Sequence, residues 1–229
     1  SETPIYNKSK VLYGLWASKD EIRKKENVII VEGYLDYLQL YQSGIKNVVA
    51  VSGTSFTTEH AKLIKRFCKR IYIAYDGDTA GISAAIRAGY IMIRFGLEPK
   101  VVSIPTGKDP DDWVKEDGVN PFKNALLEAK PLLNYHMQNT NHDISTPSGM
   151  SQLIQSIITE LVYIDDLILR ELYIRNLASI TKVSEKNIFN SINKLLGAKN
   201  IRTQFKKEQI KDLDDDISKI NSPLRLIEE

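Results

Sequence analysis

Cysteine and histidine are nearly missing from this chain. Cys68 stands alone, and His60, His136 and His142 are the only histidines in 229 residues. A single thiol excludes an intramolecular disulfide and a cysteine-rich zinc site. The histidines show no ligand spacing and read as structural or surface residues. So little cysteine fits a reducing cytoplasm. No apolar run approaches the ~18 residues of a membrane span, and no signal-peptide pattern is present. Charge of one sign is lacking as well. The net charge is +2, so the chain is no polycation, and any contact with nucleic acid must come from a local patch. The remaining composition, 42% hydrophobic and 26% charged, is that of an ordinary globular protein with one large domain or two small ones. The chain opens on Ser1 rather than Met, which reads as a segment of something longer.

Two acidic motifs carry the most information. Val28-Ile29-Ile30-Val31-Glu32-Gly33 and Ile71-Tyr72-Ile73-Ala74-Tyr75-Asp76-Gly77-Asp78 are apolar runs that stop abruptly at a carboxylate and a glycine. Either one alone reads as a turn. Together, each after a strand and before a helix, they have the context that makes a motif meaningful. The carboxyl ends of neighbouring parallel strands share a ligand-binding crevice. Glu32, Asp76 and Asp78 therefore converge there, and three clustered carboxylates repel one another unless a cation lies between them. Hard oxygen donors in a sparse site suit Mg2+ or Mn2+, which keep waters and meet substrate phosphates.

Strand and helix alternate from about residue 28 to 118. The pattern predicts strands at 28–31, 48–51, 71–75 and 100–104, and helices at 34–42, 57–70 and 79–95. The strands are continuous apolar runs, which argues for a parallel sheet covered on both faces. Beyond Asn120-Pro121 no strand is expected. Helices are predicted at 122–138, 147–163, 165–180 and 184–196, forming a small all-α bundle. From residue 201 a highly charged stretch reads as a helix or linker. The fold class is thus α/β, with a helical bundle after it. Trp16 and Trp113 read as packing anchors. Lys62, Lys65, Arg66, Lys69 and Arg70 form a basic helix, either a solvated face or a nucleic-acid contact.

The order of motifs resembles the Toprim domain of the bacterial DnaG-type primases. Val31-Glu32-Gly33-Tyr34-x-Asp36 is followed by Ser52-Gly53-Thr54-Ser55, by Tyr75-Asp76-Gly77-Asp78-x-Ala80-Gly81 running on through Arg87, and by Gly107-Lys108-Asp109-Pro110-Asp111. Ser1-Glu2-Thr3-Pro4-Ile5-Tyr6-x-Lys8 and the following Leu12-Tyr13-Gly14-Leu15 resemble the segment that joins the family's basic subdomain to its Toprim fold. The resemblance implies a leader at 1–27, a Toprim catalytic domain at 28–118, a helical subdomain at 119–200, and a linker at 201–229 toward a C-terminal module that binds the replicative helicase. The family's zinc-binding module and most of its basic subdomain would lie before Ser1. Toprim domains also occur in topoisomerases and some nucleases, and a non-catalytic interaction module is a third alternative.

The same resemblance implies a nucleotidyltransferase that joins ribonucleoside triphosphates on a single-stranded DNA template. It makes Glu32 a metal ligand or general base and Asp76 and Asp78 a metal-binding pair. It assigns Asp109 and Asp111 to metal as well, although Asp109-Pro110-Asp111-Asp112 is equally what a helix start looks like. Asp36 becomes either a support for Glu32 or simply an acid in the first turn of a helix. Lys8 is placed at the phosphates of the incoming nucleotide. Gly53 and Thr54 form either a tight turn or a loop whose amides approach phosphate or template.

Overall fold

The computed structural model describes residues 7–197. A 3-10 turn at Lys8–Lys10 precedes α1 (Leu15–Lys25). Then follow β1 (Asn27–Val31), α2 (Tyr34–Gln42), β2 (Val48–Ala50), α3 (Thr58–Ile64), β3 (Arg70–Ile73), α4 (Thr79–Arg94) and β4 (Glu98–Val101). Next come α5 (Pro110–Asp117), α6 (Val119–Leu127), β5 (Lys130–Pro131), α7 (Leu132–Gln138), α8 (Pro147–Leu161) and α9 (Leu167–Thr181). Residues 185–197 are also helical. No helix among the described residues is long and apolar enough to cross a membrane.

The sheet order is β2-β1-β3-β4-β5. The first four strands are parallel, with Ile29 opposite Val48, Ile30 opposite Ile73, and Arg70 opposite Glu98. The chain passes from β1 to β2 on one side, then crosses β1 to reach β3 on the other. That reversal makes the β1/β3 boundary the switch point of the sheet, where the carboxyl ends open a crevice. Alternate residues of each strand feed two cores. Val28, Ile30, Ile71, Ile73 and Tyr75 face one, and Ile29, Val31, Ala74 and Val102 face the other. Both faces are therefore apolar, as a covered parallel sheet requires.

The first core does not stop at the sheet. It runs through Ala85, Met92 and Ile93 of α4 into Leu132 and Leu133 of α7, Leu153 and Ile157 of α8, and Leu177 of α9. Gly89 permits this approach, because a Cβ there would meet the Leu132 side chain at 2.5 Å. An ion pair between Arg94 and Glu160 ties α4 to α8.

Several elements differ from the sequence reading. The helix expected over 57–70 ends at Ile64, where turn bonds from Arg66 and Phe67 back to Leu63 and Ile64 replace the helical ladder. The basic residues that follow lie on that turn and on β3. The helix expected over 122–138 is broken. Pro131 lacks an N–H and its ring clashes with a preceding turn, so Lys130 and Pro131 instead pair antiparallel with Val101 and Lys100. The strand expected at 100–104 is shifted to Glu98–Val101. Helix α1 was not anticipated. It buries Ile22, and Ser18 Oγ donates to the Val48 carbonyl at 2.7 Å, which seats it on β2. Trp113 packs edge-on against Phe122 as an anchor. Trp16 does not pack: it is 83% exposed, with the Lys19 ammonium 3.3 Å above its ring. The tail expected at 201–229 lies outside the described residues.

Candidate active site

The crevice at the β1/β3 switch point has a volume of about 920 Å³. Glu32, Asp36, Asp76, Asp78 and Asp109 all line it, although three separate stretches of chain supply them. Glu32 follows β1 directly, and its backbone carbonyl accepts the Ser52 N–H at 2.9 Å, fixing it against the end of β2. Asp76 follows β3. Asp78 caps α4, its Oδ1 accepting the Gly81 N–H at 2.7 Å. Asp109 caps α5 in the same way, accepting the Asp112 N–H at 2.7 Å. Each capping acid spends one oxygen on its helix and keeps the other.

Glycine brings the third stretch in. A Cβ on Gly77 would lie 2.2 Å from the Pro105 carbonyl oxygen, so only glycine lets the β3–α4 loop run against residues 104–108. The Gly77 N–H then donates to the Lys108 carbonyl at 2.9 Å. Asp109, one residue on, arrives beside Asp76.

The acids feel one another. Burial, with the charges of Asp76 and Asp78, pushes the Glu32 carboxyl above its ordinary range, while the Asp76 backbone amide and the Arg87 guanidinium oppose the rise. Burial raises Asp76 too, followed by the charges of Asp109 and Asp78. Glu32 Oε1 is buried with no hydrogen-bond partner among the described residues. An orphaned carboxylate oxygen among crowded acids is costly unless something positive meets it. The donors are all hard oxygens, the set that a divalent ion of the magnesium type accepts. On this observation the residues fit such an ion.

Asp36 and Asp111 have other duties. Asp36 is 5% exposed. Its Oδ2 accepts the Gly33 N–H at 2.9 Å, closing the start of α2, and its Oδ1 accepts the Asp111 N–H at 3.1 Å. It is thus both a first-turn acid and the clasp that holds α5 to α2. Burial is the main cause that pushes its carboxyl up to about 7. The Asp111 side chain does not line the crevice. It is 6% exposed and forms an ion pair with Lys115 at 2.6 Å. Asp109, Asp111 and Asp112 bring their oxygens within 4.8 Å of one another. The capping bond and the Lys115 pair engage one oxygen each of Asp109 and Asp111.

The loop at 53–55 forms another part of the crevice wall. Ser52 and Gly53 take left-handed φ angles of 54° and 75°, a conformation free of strain only for glycine. Beyond them, the backbone amides of Gly53, Thr54 and Ser55 have no acceptor among the described residues. Lys8 Nζ lies 3.6 Å from where a Gly53 Cβ would sit. The Lys8 carbonyl contacts His60 Nε2 at 2.9 Å, and Thr57 Oγ1 donates to the Ser9 carbonyl at 2.6 Å, so the 3-10 turn is pinned to the head of α3. Arg87 also lines the crevice. It closes the run that follows Asp76-Gly77-Asp78, a place that by itself signals no role. Its signal is helical spacing, seven residues after Ala80 and three after Ala84 on the face of α4 that borders the crevice.

A parallel sheet with a glutamate after one strand and an Asp-Gly-Asp after its neighbour, meeting at the switch point, defines a Toprim-type domain. A family model described as Toprim-like matches residues 29–114. A second, described as the DnaB-helicase binding domain of primase, matches residues 128–186. A DNA primase of Listeria innocua is 37% identical over 183 residues, covering 77% of this chain and 29% of its own length. A DNA primase domain from Pseudomonas aeruginosa superposes with a TM-score of 0.74 at 33% identity, over 84% of this chain and 62% of that one. A DnaG primase catalytic domain bound to ssDNA gives 0.67 at 30% identity, over 78% and 59%. The chain belongs with the bacterial DnaG-type primases and corresponds to a segment of their core. It spans about 29% of the length of the Listeria relatives. The helicase-related match falls inside the helical region, not past residue 229, where the sequence reading had placed the helicase-binding module.

Proposed function

We propose that this chain is the catalytic core of a cytoplasmic DNA primase, a DNA-directed RNA polymerase that joins ribonucleoside triphosphates into short primers on single-stranded DNA during replication. The observation that carries the reading is the meeting of Glu32, Asp76 and Asp78, with Asp109 beside them, at the switch-point crevice. A bound Mg2+ or Mn2+ would activate the attacking 3′-hydroxyl and neutralise the charge that develops on pyrophosphate. Glu32, Asp76 and Asp78 would hold it. Asp109 keeps one oxygen free next to Asp76, while Asp111 supports the loop through its backbone rather than as a ligand.

The residues around the acids supply position. Lys8 and the free amides of Gly53 and Thr54 offer donors to phosphate oxygens, as loops of exposed amides do elsewhere. Asp36 holds the Asp109 loop at the crevice. Asp36 sits at a helix start, and Lys8 on a 3-10 turn pinned to the head of α3, so both are held by the rigid frame that in-line displacement requires.

The helicase-related match supports a contact between residues 128–186 and the replicative helicase, and binding of labelled helicase by this chain tests that part. The enzymatic reading is tested by offering the chain a single-stranded template, ribonucleoside triphosphates and Mg2+ or Mn2+, beside supercoiled DNA in a parallel reaction. Template-dependent oligoribonucleotides support it. Nicking or relaxation without synthesis would move the chain to the Toprim nucleases or topoisomerases, and neither activity would leave an interaction module.

A further inference from the structure

We propose that Arg87 is a phosphate-binding residue of this site, gripping a phosphate group of the substrate on the side of the crevice opposite in charge to the acids. The inference rests on the primase reading and adds a residue to it. Among the described residues that line the crevice, Arg87 is the only cation, against five carboxylates. Even so, its side chain has neither an ion-pair nor a hydrogen-bond partner among the described residues. An arginine placed merely to neutralise acids would be expected to fork onto one of them, since bidentate pairing with a carboxylate is its strongest contact. Arg87 acts on Glu32 only through space.

Helix α4 is shaped around this side chain. Ala80, Ala84 and Ala88 line the crevice with Arg87. Ala80, Gly81 and Ala84 keep the stretch between Arg87 and the acids low, so the exposed arginine stands above it. Side chains on a helix lean toward its N-terminus, which here is the end capped by Asp78. Arg87 lies nine residues beyond that cap, so its stem starts about 13 Å along the axis and leans back toward the acids. A cation set back from a metal-binding acid cluster, and aimed toward it, suits a ligand that carries several negative charges in a row. A triphosphate has that form, and so does a nucleic-acid backbone. The planar guanidinium matches phosphate oxygens in either case.

Three measurements on the full chain separate the sources. ATP binding in the presence of Mn2+, binding of a labelled single-stranded DNA, and Mn2+ binding alone are compared for wild type, Arg87→Gln and Arg87→Lys. The expected result is about tenfold weaker ATP binding in Arg87→Gln, partial recovery in Arg87→Lys, and unchanged DNA and Mn2+ affinity. Loss of DNA affinity in place of ATP affinity would support the phosphate role and assign it to the template. Unchanged ATP and DNA binding, with tighter Mn2+ binding, would overturn the proposal, since Arg87 would then serve only to offset the acids. These are binding readouts, so a wild-type chain that made no RNA would sink the primase reading while still scoring Arg87.

Discussion

The Asp36 carboxylate accepts the Asp111 backbone N–H at 3.1 Å across 75 residues of sequence. This bond joins the head of α2 to the head of α5, and with it the Glu32 loop to the Asp109 loop. The carboxyl is buried and pushed up to about 7 from its ordinary 3.8. Because the folded value is the higher one, the stability this group contributes is fully present below about pH 4 and is lost as pH rises through about 7. Asp36→Asn removes that dependence. Denaturant midpoints from pH 4 to 8 should therefore show wild type losing stability relative to Asp36→Asn as pH rises. A flat or inverted difference would contradict the burial argument.

Divalent ions should compete with protons for this site. Glu32 and Asp76 hold protons above the ordinary carboxylate range, so Mn2+ affinity should climb as pH rises through the mildly acidic range, with protons released on binding. Exposed coordination positions leave room for phosphate oxygens, so affinity should also be weak alone and higher with a nucleoside triphosphate. Calorimetry at several pH values, with and without nucleotide, measures both effects. Tight, nucleotide-independent binding of a single ion would point to a structural site instead.

Asp109 and Asp111 should behave differently. Asp109→Asn should weaken Mn2+ binding severalfold in the presence of nucleotide. Asp111→Asn should leave it within about twofold, because that carboxylate is committed to Lys115. Equal losses in the two variants would show that Asp111 turns into the site.

Gly77→Ala places a methyl group 2.2 Å from the Pro105 carbonyl oxygen and 2.9 Å from that of Ile104. Backbone cannot yield as a flexible side chain does. The variant should lose about 1–3 kcal/mol of stability, the usual range for overpacking. It should also lose Mn2+ affinity, as the Asp109 loop moves away from Asp76. Thermal unfolding and the same titration test the two effects together.

Much of the frame was legible in the sequence because abrupt apolar runs ending in a carboxylate and glycine have few structural solutions. β1, α2 and α4 lie where the pattern put them, and the acids after β1 and β3 reach one crevice. Helix α1 was hidden by its charges, since Lys19, Asp20, Glu21, Arg23, Lys24 and Lys25 blur its apolar stripe. The break at Pro131 was written plainly and was missed in favour of a long helical period. The different partners of Asp109 and Asp111 were not legible, because the acid at the head of α5 caps the helix whereas Asp111 is paired by Lys115 one turn on. The clasp through Asp36 was only half visible. A first-turn acid can be read locally, whereas its second partner lies 75 residues away and depends on the sheet order.

The central claim is that the clustered carboxylates carry nucleotidyl transfer. It is tested most directly by labelled ribonucleotide incorporation on a single-stranded template by the wild-type chain and by Asp76→Ala and Asp78→Ala, each checked for native folding by circular dichroism. The account predicts synthesis by wild type and none above background by either variant, with folding intact because neither side chain fills a core. Undiminished synthesis by a well-folded Asp76→Ala would contradict it.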